Sequence, residues 1–293
     1  MPESVKYVRA VFELLRWGNC AMAGFAALVG TLIAFLALPD SLEVVLVYEP
    51  VLVFGAVFLI TGAGNAVNDY YDFEIDRINR PERPIPSGRV GRSSTLYLSF
   101  LLFALGIALS SLLGPLCLVL AMFNSVMLFL YASNFKRMAL MGNLVVGYLT
   151  GSTFLFGGAL AVFQGTGIQS TVILCILAAL ANLAREIIKD IQDMEGDLKG
   201  GAHTLPIKIG ASGAARVAAV AGLSGVVLSP LPFLFNVNNA FGISYLAVIF
   251  IADILFLVSV NEVLFRNNAA KASKLLKMAM FVALVAFVVG AVL

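Results

Sequence analysis

Asn68-Asp69-Tyr70-Tyr71-Asp72-Phe73-Glu74-Ile75-Asp76 closes one long apolar run, and Lys189-Asp190-Ile191-Gln192-Asp193-Met194-Glu195-Gly196-Asp197 closes another. Both stretches contain the pattern DxxDxxxD. Asp69, Asp72 and Asp76 correspond one to one with Asp190, Asp193 and Asp197, each pair 121 positions apart. That regularity points to an internal duplication or to two sites shaped by one task. At about 100° per residue, Asn68, Asp69, Asp72 and Asp76 share one side of a helix. Asp190, Asp193 and Asp197 do the same, with Glu186 one turn earlier. Side chains three and four apart are neighbours at roughly 5–6 Å, so these carboxylates repel one another. They also lie at the C-terminal ends of their helices, where the helix dipole disfavours negative charge. Dehydration near a membrane adds to the cost. A divalent cation removes these penalties, and an all-oxygen donor set favours Mg²⁺ or Ca²⁺ over zinc or copper. The plainer reading, solvated acidic helix ends, does not explain two identical spacings in the same unfavourable place.

The surrounding sequence is that of a membrane protein. Hydrophobic residues make up 60% of the 293, and charged residues only 12%, against about 25% in a soluble globular domain. Continuous apolar runs of about 20 residues, the length of one helical crossing, recur along the chain. They do not alternate polar with apolar, which favours helices over a barrel. Nine spans are predicted, at about 17–38, 44–68, 94–113, 115–133, 141–163, 170–189, 214–235, 242–264 and 274–293. All 19 Lys and Arg residues then fall near one membrane side. The connections at 39–43, 164–169 and 236–241, and the turn at Gly114–Pro115, have none. Because cytoplasmic loops collect Lys and Arg, the basic side is the cytoplasm. The expected protein is therefore all-α and polytopic, with a cytoplasmic N-terminus and an outside C-terminus. It is read as one domain over 1–293, with cytoplasmic cap loops at about 69–93 and 190–213. No cleavable signal peptide is expected, since the apolar run after Trp17 is too long for one. Cys20, Cys117 and Cys175 lie in apolar runs without CxxC pairing and read as buried small hydrophobes. A net charge of +2 makes no case for nucleic acid.

Basic residues follow each acidic cluster. Arg77, Arg80, Arg83, Arg89 and Arg92 follow the first, and Lys199, His203 and Lys208 the second. Tyr131-Ala132-Ser133-Asn134-Phe135-Lys136-Arg137 lies between them. Most of these anchor the cytoplasmic face, but guanidinium forks and ammonium groups also bind phosphate oxygens. Arg77, beside Asp76, and Lys136, at the mouth of the fourth span, are the strongest candidates. Mg²⁺ between two carboxylate clusters, ringed by basic residues, makes a diphosphate clamp. The rest of the site is apolar and rich in Phe and Tyr, which suits a lipid diphosphate with its tail among the helices. With one His and no GxSxG, no nucleophile constellation is present. The chemistry that needs only these parts is departure of diphosphate from an allylic carbon. Metal and basic groups neutralise the leaving group, and aromatic faces stabilise the cation.

NDxxDxxxD followed by Arg-Pro-Glu-Arg-Pro-Ile-Pro-Ser-Gly, with DxxDxxGD four spans later, resembles the UbiA superfamily of intramembrane prenyltransferases. The resemblance runs from about Arg16 to Gly210, and Arg16 and Asn19 resemble the RxxN feature of that superfamily. It implies a bundle of spans around a central cavity, capped on the cytoplasmic side by the two motif loops. Carried over by position, it implies Asn68, Asp72, Asp76, Asp190, Asp193 and Asp197 as Mg²⁺ ligands. Arg77 and Lys136 match basic diphosphate-binding positions. Asp72, Asp76, Asp193, Asp197, Arg77 and Lys136 are thus the expected catalytic set. Asn19, Arg16, Tyr131, Arg83 and Asp69 are further candidates for substrate and diphosphate contacts. Tyr131 and Lys136 stand five apart, where the family often has four, so the role of Tyr131 is open. Arg185-Glu186-Ile187-Ile188-Lys189-Asp190, Asp193-Met194-Glu195-Gly196-Asp197 and Thr204-Leu205-Pro206-Ile207 look most like the archaeal ether-lipid branch. That branch implies transfer of a geranylgeranyl group from its diphosphate to the hydroxyl of geranylgeranylglyceryl phosphate, in the cell membrane. The phosphate of such an acceptor needs basic contacts of its own, for which Arg16, Arg83 and His203 are candidates.

Two other readings compete. One is prenyl transfer to an aromatic acceptor, as in quinone or haem O synthesis. The other is an ion transporter or channel, which would set acidic residues along a path across the membrane. Only Asp253 lies mid-span, and a hydrogen-bonded structural role suits it equally well. The lone His203 reads more readily as a loop residue than as a base. The small-residue run from Gly142 to Gly158 reads as close helix contact rather than a ligand site.

Overall fold

A chain that hides its backbone from lipid over such lengths must form helices, whose hydrogen bonds are all internal. The computed structural model describes residues 3–36, 48–161, 168–199, 201–235 and 241–292. Among these the chain is all-helical, with no strand beyond one isolated bridge between Met138 and His203. The helices are α1 (Glu3–Leu15), α2 (Trp17–Phe35), α3 (Tyr48–Tyr71), α4 (Phe73–Asn79), α5 (Arg92–Ser111), α6 (Pro115–Ser133), α7 (Met141–Ala159), α8 (Ile168–Lys199), α9 (Leu205–Ile209), α10 (Ala211–Leu228), α11 (Leu231–Leu234), α12 (Ile243–Leu264) and α13 (Ala269–Val292).

By length and composition, eight stretches of the described residues can cross a membrane: α2, α3, α5, α6, α8, α10 together with α11, α12 and α13. The predicted span at 141–163 is helical from Met141 to Ala159 but is not among the eight. Asn143, Thr150, Ser152, Thr153 and its glycines lower its hydropathy. Residues 162–163 lie outside the described residues. So do the connections read as free of basic residues, save Ile168, Gln169 and Phe241.

Two features depart from the expected spans. A separate helix, α1, precedes the first span and buries Ala10 and Leu14 at helical spacing. The sixth span does not stop at 189: α8 runs on to Lys199. The second cap loop is therefore helical over its first ten residues. Carboxylates spaced three and four apart belong to a continuing helix, and the true break comes only near Gly201, whose φ of 69° lies in the left-handed region.

The chain divides into two compact units, Met1–Leu28 with Leu46–Asn134, and Val29–Val45 with Phe135–Leu293. In the first, α3 lies against α1, α5 and α6. Ala10, Leu14 and Ala66 close over Ile85 and Val90, which pins the Arg-Pro-rich segment after α4 to the helices. Arg89 fixes the same segment from outside, through paired hydrogen bonds to Glu13 of 2.7 and 3.0 Å. That pairing holds the Glu13 carboxyl below its ordinary range.

In the second unit, α8 is the shared wall for α7, α10 and α13. A buried core there joins Ile187 and Ile188 to Ala214, Ala218, Phe256 and Leu276. Buried Glu262 ties the α12–α13 corner, accepting from Lys271 at 2.8 Å and Arg266 at 3.2 Å. Helix α7 approaches α8 through glycine. A Cβ at Gly147 would meet the Ala179 carbonyl oxygen at 3.0 Å, and at Gly151 or Gly158 it would clash with Cys175 or Thr171. The Gly142–Gly158 run is thus a contact surface, as its composition suggested.

Gly151→Leu is expected to lower thermal stability in detergent by about 1–3 kcal/mol, the range for overpacking a close contact. Gly18→Ala, with nothing within 4 Å of the added carbon, should be neutral or slightly stabilising. Equal melting temperatures for the Leu variant and the parent would contradict the close α7–α8 approach.

Candidate metal and diphosphate site

The first acidic cluster is built on a helical ladder whose rungs at Asp72 and Asp76 bridge α3 and α4. The Asp72 N–H donates to the Asn68 carbonyl at 3.0 Å, and the Asp76 N–H to the Asp72 carbonyl at 2.8 Å. The ladder carries helical spacing across the junction of α3 and α4. Asp69, Asp72 and Asp76 therefore stay on one side, with one carboxylate oxygen from each within 4.8 Å of the others. Asp69 and Asp76 are both 5% exposed. Asn68 Nδ2 donates to Asp72 Oδ2 at 2.9 Å.

Two arginines meet this charge. Arg16, between α1 and α2, takes a left-handed φ of 51° and reaches Asp69 at 2.5 Å. Arg83 contacts Asp76 at 2.6 Å and Asp69 at 3.5 Å. Burial alone would lower the Arg83 pKa, but Asp69 and Asp76 outweigh it and hold the guanidinium above its ordinary value. Three carboxylates facing two guanidiniums leave a residual negative charge. An all-oxygen, partly dehydrated cluster of that sign fits a hard divalent cation.

Arg77 is elsewhere. Its side chain is largely exposed, 3.6 Å from Glu74 and over the Phe73 ring. Adjacent residues on a helix point about 100° apart, so the neighbour of an inward Asp76 faces outward. Arg92 stacks nearby on Tyr70 and Phe73 at 4.8 and 4.9 Å. Asn19 is exposed in the first turn of α2, and Tyr131 is half-buried near the end of α6.

The second cluster lies on the last turns of α8 and is organised differently. Asp190 Oδ2 accepts from Asn143 Nδ2 of α7 at 2.7 Å. Glu186, one turn earlier, is occupied by Arg185 at 2.5 Å and Lys189 at 3.5 Å. Asp193 is exposed and Asp197 half-buried. Lys136, half-buried in a single 3₁₀ turn at Phe135–Arg137, acts electrostatically on Asp197. The buried Thr204 hydroxyl lies beside Asp197, but its geometry falls short of a hydrogen bond. His203 is exposed, and its N–H donates to the Arg137 carbonyl at 3.2 Å, which joins the Lys136 turn to the segment before α9. Asp253 accepts from Ser229 at 2.7 Å, so it is hydrogen-bonded within its own helix pair.

Asn143 was not among the residues singled out from sequence. It stood inside a small-residue run, and the spacing within one motif cannot reveal a donor arriving from another helix.

The scan of family models matches residues 21–285 to the UbiA prenyltransferase family. A protein of Methanococcoides burtonii named digeranylgeranylglyceryl phosphate synthase is 51% identical over 97% of this chain and 100% of its own length. One of the same name from Methanosarcina mazei is 50% identical over 97% and 98%. Among solved structures, one described as giving insights into digeranylgeranylglyceryl phosphate synthase in membranes aligns with a TM-score of 0.82. It is 39% identical and covers 98% of this chain and 99% of that one. A UbiA homologue from Archaeoglobus fulgidus, bound to GPP and Mg²⁺, shares the fold at a TM-score of 0.66 and 14% identity, covering 96% and 100%. The class defined by these helices and acidic motifs is that of the intramembrane prenyltransferases. The chain belongs to the UbiA prenyltransferase family.

Arg83→Leu leaves Asp76 without its guanidinium. Removing one partner of a largely buried pair costs about 3 kcal/mol or more. The variant should melt below the parent in chelator and recover part of the difference in millimolar Mg²⁺. Equal loss with and without Mg²⁺ would count against a cation at this cluster.

Proposed function

We propose that this protein transfers a geranylgeranyl group from geranylgeranyl diphosphate to the free hydroxyl of geranylgeranylglyceryl phosphate. The reaction forms the second ether bond of archaeal membrane lipids. The observation that carries this reading is identity of about half the residues, over nearly the whole chain, with proteins named for that synthase. The acidic clusters supply the matching chemistry. The allylic C–O bond breaks heterolytically, and its electron pair leaves with the diphosphate. The acceptor oxygen attacks the allylic carbon and sheds its proton, giving an ether and free diphosphate.

In this reading Asn68, Asp72, Asp76, Asp190, Asp193 and Asp197 hold Mg²⁺. When bound, Mg²⁺ would neutralise charge growing on the departing diphosphate. Arg16 and Arg83, partnered to Asp69 and Asp76, are ready to exchange a carboxylate for a phosphate oxygen. Lys136 and Arg77 serve the same leaving group, and Asn19 and Tyr131 contact substrate. The family match covers residues 21–285, which supports reading the chain as a single prenyltransferase domain over residues 1–293. Helix α7 is the ninth crossing, its low hydropathy tolerated because Gly142, Asn143, Val145, Gly147, Gly151 and Ser152 are buried. With nine crossings and all basic residues on one side, the N-terminus is cytoplasmic and the C-terminus outside.

Purified protein given labelled geranylgeranyl diphosphate should turn over with geranylgeranylglyceryl phosphate and stop in excess chelator. Product with an aromatic acid alone would replace this assignment by the quinone or haem O type. Asp72→Ala and Asp193→Ala should each lose about 100-fold or more in kcat while remaining folded, the scale of losing one group that stabilises developing charge. Full activity in either variant would overturn the two-cluster assignment.

A further inference from the structure

The two acidic motifs correspond aspartate for aspartate, but the carboxamide before the first aspartate is not repeated. Asn68 precedes Asp69 in the first motif, and the matching position in the second is Lys189. The structure gives each cluster a carboxamide all the same. In the first, Asn68 Nδ2 donates along its own helix to Asp72 Oδ2 at 2.9 Å. In the second, Asn143 Nδ2 donates across from α7 to Asp190 Oδ2 at 2.7 Å. Asn143 is 7% exposed, so its amide is committed to this contact rather than shared with bulk water.

We propose that Asn143 is a positioning residue for the second metal-binding cluster, supplying from α7 the carboxamide that its motif lacks. The inference rests on the Mg²⁺ reading above. An N–H on one carboxylate oxygen fixes the carboxylate plane and leaves the other oxygen as the free donor. The local fold is arranged around this contact. Leu140, just before α7, adopts a left-handed φ of 64°, a strained state for a branched residue. The strain lets α7 start abruptly after the Lys136 turn. Gly142 admits that turn: a Cβ there would meet the Phe135 carbonyl oxygen at 2.9 Å and the Lys136 Cα at 3.2 Å. One helical turn therefore carries the fixed partner of Asp190 and the seat of Lys136. A packing role alone does not require a donor at position 143, since Leu has the same number and branching of side-chain heavy atoms as Asn without the amide.

The test is metal binding in the full-length protein in detergent, read by Mn²⁺ electron paramagnetic resonance with inorganic pyrophosphate present. Asn143→Leu should weaken Mn²⁺ binding about 10–100-fold, the usual range for removing a group that orients a metal ligand. The Mg²⁺ concentration for half-maximal turnover should rise by a similar factor, with kcat at saturating Mg²⁺ close to the parent. Combining Asn143→Leu with Asp190→Ala should weaken Mn²⁺ no further than Asp190→Ala alone, because both act through one ligand. If the Leu variant does not fold, Asn143→Ala provides the same comparison. Unchanged Mn²⁺ affinity in the folded variant, or additive losses in the double variant, overturns the inference and leaves the Mg²⁺ reading intact. A parent protein that neither binds Mn²⁺ nor requires Mg²⁺ overturns both.

Discussion

Repulsion among carboxylates stacked along one helical side is the constraint around which this molecule is arranged. Three acids at spacings of three and four cannot avoid one another. Burial of Asp69 and Asp76 removes most of the water that would otherwise screen them. Such an arrangement persists only if neighbouring elements supply positive charge or hydrogen-bond donors. Much of the irregular structure on this face can be understood as meeting that demand.

The two clusters meet it in different ways. In the first unit the answer is charge. Helix α1 and the Arg-Pro-rich segment after α4 are fastened by Ile85, Val90 and the Glu13–Arg89 pair, and between them they deliver Arg16 and Arg83. Two guanidiniums do not neutralise three carboxylates, so the cluster keeps its appetite for a cation. In the second unit the answer is dipolar. Asp190 is held by a neutral amide, and Arg185 and Lys189 are engaged with Glu186 rather than with the aspartates. That cluster extends beyond the buried part of α8, with Asp193 exposed, and water does part of the work that arginine does in the first.

The sequence made most of this legible because the decisive signals are local. Apolar runs of membrane length and acids at helical spacing are read directly from one dimension, and the structure reproduces both. The parts that were not legible depend on partners distant in sequence. Arg77 and Arg83 were both singled out, but which of them meets Asp76 was not legible, since a helix turns consecutive side chains apart and Arg77 lies outward beside Glu74. Arg83, seven residues on, returns to the carboxylate because the chain folds back through its prolines. Asn143 was hidden for the same reason, being 47 positions from Asp190. The sixth apolar span was expected to end near 189, and α8 continues past it to Lys199, as the helical spacing of its aspartates required.

Helix α7 shows how one element reconciles demands that conflict. To bring Asn143 against Asp190 it must lie close to α8, which calls for glycine at the contact. Glycine and small hydroxyl residues lower its hydropathy, so by composition it is the least suited of the long helices to face lipid. Its buried face resolves the conflict: Gly142, Asn143, Gly147, Gly151 and Ser152 are hidden within its own unit, where low hydropathy carries little penalty and close approach gains van der Waals contact. The features that make α7 a poor membrane helix by composition are those that let it hold an aspartate in place.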